Sequence, residues 1–212
     1  MKSVYLFDLD GTLTDSREGI TKSVRYALNR MGLDSELKEL EKFIGPPLKF
    51  SFCEFFGMTD EESEKAIKLY RDRYKDTGIF ENKLYENVIP VLKELKSQGK
   101  KVCMATCKPE VFARRISDHF GMTPYFDEIC GTTLDGTKTT KAQVIEEVLE
   151  RIGEKPGNAV MIGDREHDVE GAKHFSMPCV GVTFGFAEEG ELEKAGADYI
   201  IDSLTELLKL DI

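Results

Sequence analysis

The sequence lacks the patterns that would place it in several large classes. No C-x-x-C pair occurs, and the five cysteines, Cys53, Cys103, Cys107, Cys130 and Cys179, are odd in number and scattered. This excludes a disulfide framework and a cysteine zinc site. Cys103 and Cys130 fall inside apparent strands and read as core residues. No apolar run is long enough to span a bilayer, and the N-terminal residues enter a strand with no leader pattern, so a cytoplasmic setting is expected. Basic residues are in deficit: 29 Lys and Arg stand against 39 Asp and Glu, a formal net charge of −10. Nucleic-acid binding needs a basic surface, and anionic membranes are disfavoured for the same reason. A small anionic partner stays open, because a local cation can reverse the field. Repeats and low-complexity segments are absent. A chain of 212 residues can bury a substantial core, as one large domain or one domain with a smaller insert.

Short apolar runs at Val4–Phe7, 102–105, 159–162, Cys179–Val182 and Tyr199–Ile201 read as buried parallel strands. They alternate with helical patterns at 88–96 and 142–152, where Val144, Ile145, Val148, Leu149 and Ile152 share a face. This alternation predicts βαβ units, hence an α/β fold: a Rossmann-like parallel sheet covered by helices. The region from about 16 to 84 breaks the pattern. Helices are expected at 18–31, 35–43, 48–56 and 61–74, with Gly45-Pro46-Pro47 as a break and Asp60 capping the last. An all-helical unit, residues 15–84, is thus inserted after the first strand of a core made of 1–14 and 85–212.

Ligands of open parallel sheets bind beyond the carboxyl ends of the strands. After the first strand comes Asp8-Leu9-Asp10-Gly11-Thr12, with two acids at i and i+2. Such a pair repels itself unless a cation or a shared proton intervenes, which suits an oxygen-ligated divalent metal or a carboxylate that attacks or moves a proton. Alone it also fits a turn; a calcium loop is disfavoured, because its further acids and closing Glu are missing. After the strand at 102–105 stand Thr106-Cys107-Lys108-Pro109, a hydroxyl and an ammonium before a helix start, able to hold a phosphate oxygen or to act as an ordinary helix entry. After the strand at 159–162, Gly163 is followed by Asp164 and, one helical turn on, Asp168. The pair suits a metal site or an acidic helix start. Lys141 opens the preceding helix, where a cation is ill placed unless an anion is near. Together these four clusters fall in chain order at strand ends and helix starts.

The four clusters, Asp8-x-Asp10-Gly11-Thr12, Thr106, Lys141 and Gly163-Asp164-x-x-x-Asp168, resemble the four motifs of the haloacid dehalogenase-like hydrolase superfamily. The likeness covers essentially the whole chain, helical cap included. Within the superfamily the chain looks most like the phosphoglycolate phosphatase group, through Gly45-Pro46-Pro47-Leu48, Thr106-x-Lys108-Pro109 and the tail from Ala195 to Ile200. The resemblance implies that Asp8 is the nucleophile and forms an aspartyl-phosphate. It makes Asp10 the acid that protonates the leaving alkoxide and then the base that activates water. It places Mg²⁺ on the Asp8 side chain, the Asp10 backbone carbonyl and Asp164, with Asp168 beside or behind them. Thr106 and Lys141 would bind the phosphoryl oxygens, and Gly11, Thr12, Cys107 and Lys108 would line the substrate side. Carboxylates suffice for Mg²⁺, so His167 is not assigned as a ligand; His119 and His174 read as helix-surface residues. Dehalogenase members lack an acid at the position of Asp10, so its presence favours a phosphatase or phosphomutase. Asn87 departs from the pattern, standing where many relatives have Gly.

The inserted unit is expected to close over the core, with hinges near 14–16 and 78–84. Gly45-Pro46-Pro47-Leu48 is expected as a rigid loop facing the site. Arg71 and Arg73 are candidates for an anionic leaving group or for a solvated helix face, and Phe50, Phe52, Phe55 and Phe56 read as cap core. The expected partner is a small phosphorylated metabolite, for a monomer or homodimer. The alternatives are a β-phosphoglucomutase-like sugar-phosphate isomerase using the same Asp pair, and a phospho-receiver signalling module. The helical insert and Asp10 both count against the second.

Overall fold

The computed structural model describes residues 2–212. In chain order the strands are β1 (Val4–Phe7), β2 (Thr14–Asp15), β3 (Lys83–Leu84), β4 (Lys101–Pro109), β5 (Glu128–Thr132), β6 (Ala159–Gly163), β7 (Cys179–Val182) and β8 (Tyr199–Ile201). The helices are α1 (Arg17–Arg30), α2 (Leu48–Phe56), α3 (Asp60–Tyr74), α4 (Val88–Ser97), α5 (Glu110–His119), α6 (Lys141–Ile152), α7 (Glu166–His174) and the short α8 (Glu191–Ala195). Two compact units result: residues 1–14 with 84–212, and residues 15–83.

In the first unit every residue of β1 is buried. A strand covered on both faces needs no polar alternation, which is why VYLF is a continuous apolar run. It pairs in parallel with β4 on one side and β6 on the other, and the six-stranded sheet runs β5-β4-β1-β6-β7-β8. The chain builds outward from β1 through β4 to β5, then returns to β6 on the far side of β1. The carboxyl ends of β1, β4 and β6 therefore meet at the point where strand order reverses, where such sheets form their ligand crevice. Val144, Ile145, Val148 and Leu149 of α6 pack with Val169 and Ala172 of α7 against Val4, Leu6, Cys103, Ala105 and Met161. The strand β5 holds Cys130, which the sequence places in an apparent strand, although the segment is not among the apolar runs; it forms one edge of the sheet, and Arg114 donates to its Ile129 carbonyl at 2.8 Å and so pairs an edge acceptor.

The second unit is helical apart from its two ends, where Asp15 of β2 and Lys83 of β3 belong to a two-stranded sheet. The segment expected as a helix at 35–43 is instead a 3₁₀ stretch, Leu37–Phe43. The cap of α3 is Thr59 rather than Asp60: its hydroxyl accepts the Glu62 N–H at 3.3 Å, and Glu62 accepts the Thr59 N–H at 2.9 Å. Phe43 packs edge-on against Phe52 and Phe55, with ring centroids 5.0 and 5.6 Å apart. Phe50 stays at the margin of that cluster: it is 54% exposed, with its ring edge-on to Phe55 at 6.3 Å. Arg73 is committed within the unit: it donates to both oxygens of Glu81, at 2.7 and 3.0 Å, and to Ser23 Oγ at 3.0 Å. Among the described residues no helix is long and apolar enough to cross a membrane.

Candidate active site

The site begins where β1 ends. The Asp8 N–H still donates to Ile162 O at 2.9 Å, continuing the sheet for one residue. Gly11 then turns the chain with φ +87° and brings its Cα against the Asp164 carboxylate, where a Cβ would stand 2.0 Å from Oδ2. Gly185 approaches the same carboxylate from the loop after β7; a Cβ there would lie 2.3 Å from the Asp164 Cβ. Only glycine fits both walls.

Lys141 is the first residue of α6, whose start is fixed by a reciprocal cap between Thr140 and Gln143. Its side chain is buried beneath the sheet end and Gly171 makes room for it. Nζ reaches Asp8 Oδ1 at 2.7 Å, Asp168 Oδ1 at 2.7 Å and Ala105 O at 2.9 Å. Burial works against the ammonium charge, but Asp168 and Asp8 more than offset it and hold the lysine well above its ordinary pKa. The anion expected near this helix start is thus present.

Asp164 is fully buried. Its Oδ1 accepts the Thr12 hydroxyl at 3.1 Å and its Oδ2 accepts the Phe186 N–H at 2.8 Å. Asp168 Oδ2 accepts the N–H groups of Asp164 and Arg165, each at 3.1 Å, so it ties down the turn that carries Asp164. Burial pushes the Asp8 carboxyl up, as does Asp168, while Lys141 and the Thr106 hydroxyl oppose this. Asp164 is raised further, by burial first and then by Asp168 and Asp8. Oxygens of Asp8, Asp164 and Asp168 all lie within 4.8 Å of one another. Three buried carboxylates against one ammonium leave an excess of negative charge that a hard divalent cation fits, and all the donors are oxygen.

The loop after β4 supplies the other side. Thr106 is buried, and its Oγ1 accepts the Lys108 N–H at 3.2 Å. The Cys107 thiol is pushed up to about 11, chiefly by burial, so no reactive thiolate forms at neutral pH. Lys108 is buried rather than solvated, with Nζ 2.6 Å from Asp10 Oδ2. His167 stands on α7 facing Glu170 at 3.9 Å, outside the carboxylate cluster, and His119 and His174 are exposed.

Sequence reasoning did not find the Lys108–Asp10 pair, the Phe186 amide, or the role of Glu191. Glu191 accepts from Arg165 Nε at 2.7 Å and from the Glu166 and Glu188 amides at 2.9 Å, lacing the turn after β6 to the loop after β7. The strand-end rule, carried one strand further to the Gly185-Phe186 loop, would have pointed to the amide.

Comparisons with known proteins identify the family. The model of the haloacid dehalogenase-like hydrolase family matches residues 5–182. A 5′-nucleotidase of Pseudomonas aeruginosa is 45% identical over 88% of this chain and 85% of its own. A tyrosine-protein kinase, PtkA of Mycobacterium tuberculosis, is 37% identical over 97% and 72%. A phosphoglycolate phosphatase of Aquifex aeolicus is 28% identical over 98% and 95%. The crystal structure of a predicted phosphatase from Clostridium acetobutylicum superposes with a TM-score of 0.95 at 48% identity, covering 99% of this chain and 97% of the other. The chain belongs to the haloacid dehalogenase-like hydrolase family, among its phosphatases.

Proposed function

We propose that the protein is a Mg²⁺-dependent phosphatase that hydrolyses a small phosphomonoester through an aspartyl-phosphate. The observation that carries this is the Asp8 carboxylate, paired with Lys141 at 2.7 Å and clustered with Asp164 and Asp168. In the first step an Asp8 oxygen attacks phosphorus, the bond to the leaving oxygen breaks, and Asp10 gives that oxygen a proton. In the second, Asp10 takes a proton from water as the water oxygen attacks phosphorus and the bond to Asp8 breaks, releasing phosphate. Lys141 keeps Asp8 oriented and, with Thr106, offsets charge on the phosphoryl oxygens. Asp8, the Asp10 carbonyl and Asp164 would hold the metal, with Asp168 fixing the turn behind them; bound there, Mg²⁺ supplies positive charge between two anions. Gly11, Thr12, Cys107 and Lys108 border the substrate side.

The names of the relatives support a nucleoside monophosphate or phosphoglycolate as the substrate class. The five cysteines are free thiols, which suits a cytoplasmic enzyme; we take it as a monomer or homodimer. The test is phosphate release from a panel of phosphorylated metabolites with and without Mg²⁺. Wild type should turn over one class only with the metal, and Asp8→Asn should be folded and inactive. Normal hydrolysis by that variant would remove the nucleophile assignment. Sugar-phosphate isomerisation without phosphate release would point to a mutase, and a long-lived phosphoprotein to a receiver.

A further inference from the structure

The Asp10 carboxylate is gripped by one oxygen only. Oδ2 accepts from Lys108 Nζ at 2.6 Å, with the lysine side chain 5% and the aspartate 16% exposed. Oδ1 is buried with no hydrogen-bond partner among the described residues. A bare buried carboxylate oxygen costs free energy, and its natural partner is a group present only during the reaction.

The fold goes to some length to place Lys108. The register between β4 and β5 shifts between Thr106 and Pro109, which lifts Cys107 and Lys108 out of the ladder. Thr132 Oγ1 holds the Cys107 carbonyl at 2.8 Å, and Gly131 lets the Lys108 carbonyl approach to where a Cβ would be 2.4 Å away. One short loop therefore carries the Thr106 hydroxyl beside Asp8 and an ammonium on Asp10.

We propose that Lys108 is a positioning residue for Asp10: it fixes Oδ2 and so leaves Oδ1 as the oxygen that exchanges the proton. This rests on the phosphatase reading above. The arrangement serves both steps. With the proton on Oδ1, Oδ2 still accepts from Lys108 while Oδ1 gives the proton to the leaving oxygen. Once emptied, Oδ1 takes a proton from the attacking water, and the grip on Oδ2 is unchanged. Lys108 therefore acts through Asp10 and not as a ligand of the substrate, which is what the sequence pattern alone had suggested.

The test is steady-state kinetics on wild type, Lys108→Met, Lys108→Arg, Asp10→Asn and the double variant Asp10→Asn with Lys108→Met. Lys108→Met should lower kcat about 100-fold, the lower end of the range for acid–base catalysis, with KM nearly unchanged. Lys108→Arg should recover about tenfold of that loss, since it restores a donor to Oδ2. In the Asp10→Asn background, removing Lys108 should cost no further activity, the signature of a residue that acts only through its partner. Should Lys108→Met fail to fold, Lys108→Arg and the double variant, which leaves no unpaired buried charge, still decide the matter. A raised KM at unchanged kcat, or a second full loss in the Asp10→Asn background, overturns the positioning role and leaves the phosphatase reading standing. A wild type without turnover overturns both.

Discussion

Among the described residues Asn87 is one of two non-glycine residues with positive φ, at +62°. It stands directly before α4, at the position where the family resemblance led one to expect glycine. Asn is the side chain that best tolerates the left-handed region, so the backbone geometry is kept although the residue has changed. Asn87→Gly should be neutral or slightly stabilising, whereas Asn87→Ala should lose about 1 kcal/mol; urea denaturation of the pair measures the difference. Asp164 offers a second test. Its carboxyl is raised above the ordinary value, so the folded state binds its proton more tightly than the unfolded chain does. Without metal this costs stability at neutral pH, and the cost shrinks as pH falls. Asp164→Asn should therefore raise the melting temperature in EDTA at pH 7 by a few degrees, about 2–4 °C for each kcal/mol, and should remove the rise that the proposed Mg²⁺ site predicts for wild type. Calorimetry with and without Mg²⁺ reads both effects, and a variant that melts lower in EDTA would contradict the argument.

At the scale of elements, the ion network in residues 15–83 has a sign that can be worked out. Hydrogen bonds from Arg73 hold the Glu81 carboxyl below its ordinary value near 4.5, against the opposing effect of partial burial, with Lys22 adding to the first. A depressed carboxyl contributes stability above its unfolded pKa and loses it as pH falls through the folded one. The melting temperature of Glu81→Gln should thus lie below wild type at pH 7, and the gap should close as pH drops below about 4. The turn after β6 carries a second element-scale prediction. Glu191 touches neither Asp8 nor Asp164, yet it ties Arg165 and Glu166 in place. Glu191→Gln should raise the Mg²⁺ concentration needed for half-maximal activity about 10- to 100-fold with little change in saturated kcat. These elements also show what the sequence could convey. β1, β6 and β7 announce themselves as unbroken apolar runs because they are covered on both faces. β5, Glu-Ile-Cys-Gly-Thr, shows only Ile129 and Cys130 as a strand core, because its ends are polar: Glu128 is kept for arginines at the sheet edge and Thr132 for the Cys107 carbonyl. Thr59 and Asp60 are both good cap types by composition, and only backbone geometry separates the two.

For the whole molecule, the four motif clusters were legible because each lies at a strand end or helix start, and sheet topology gathers such ends without further instruction. The contacts between clusters were not legible. Thr12 to Asp164 spans 152 positions and Lys108 to Asp10 spans 98, and nothing local in either segment encodes the other. Net charge also acts at this scale. At −10 the protein carries a negative field that attracts a divalent cation and repels a phosphomonoester dianion. Within the cluster, contacts of 2.7 Å are far shorter than the screening length of about 8–10 Å at physiological salt, so added salt leaves the site itself almost untouched. It screens the long-range field instead. Raising NaCl from about 20 to 200 mM, a range over which that field is largely lost, should move two constants in opposite directions. The Mg²⁺ concentration for half-maximal rate should rise, and KM for the substrate at saturating Mg²⁺ should fall, with kcat nearly constant. Titrating each component at both salt levels separates the two. If KM rose with salt instead, the substrate would be drawn in by a local basic surface strong enough to outweigh the net charge, and the anionic field of the whole molecule would not govern encounter.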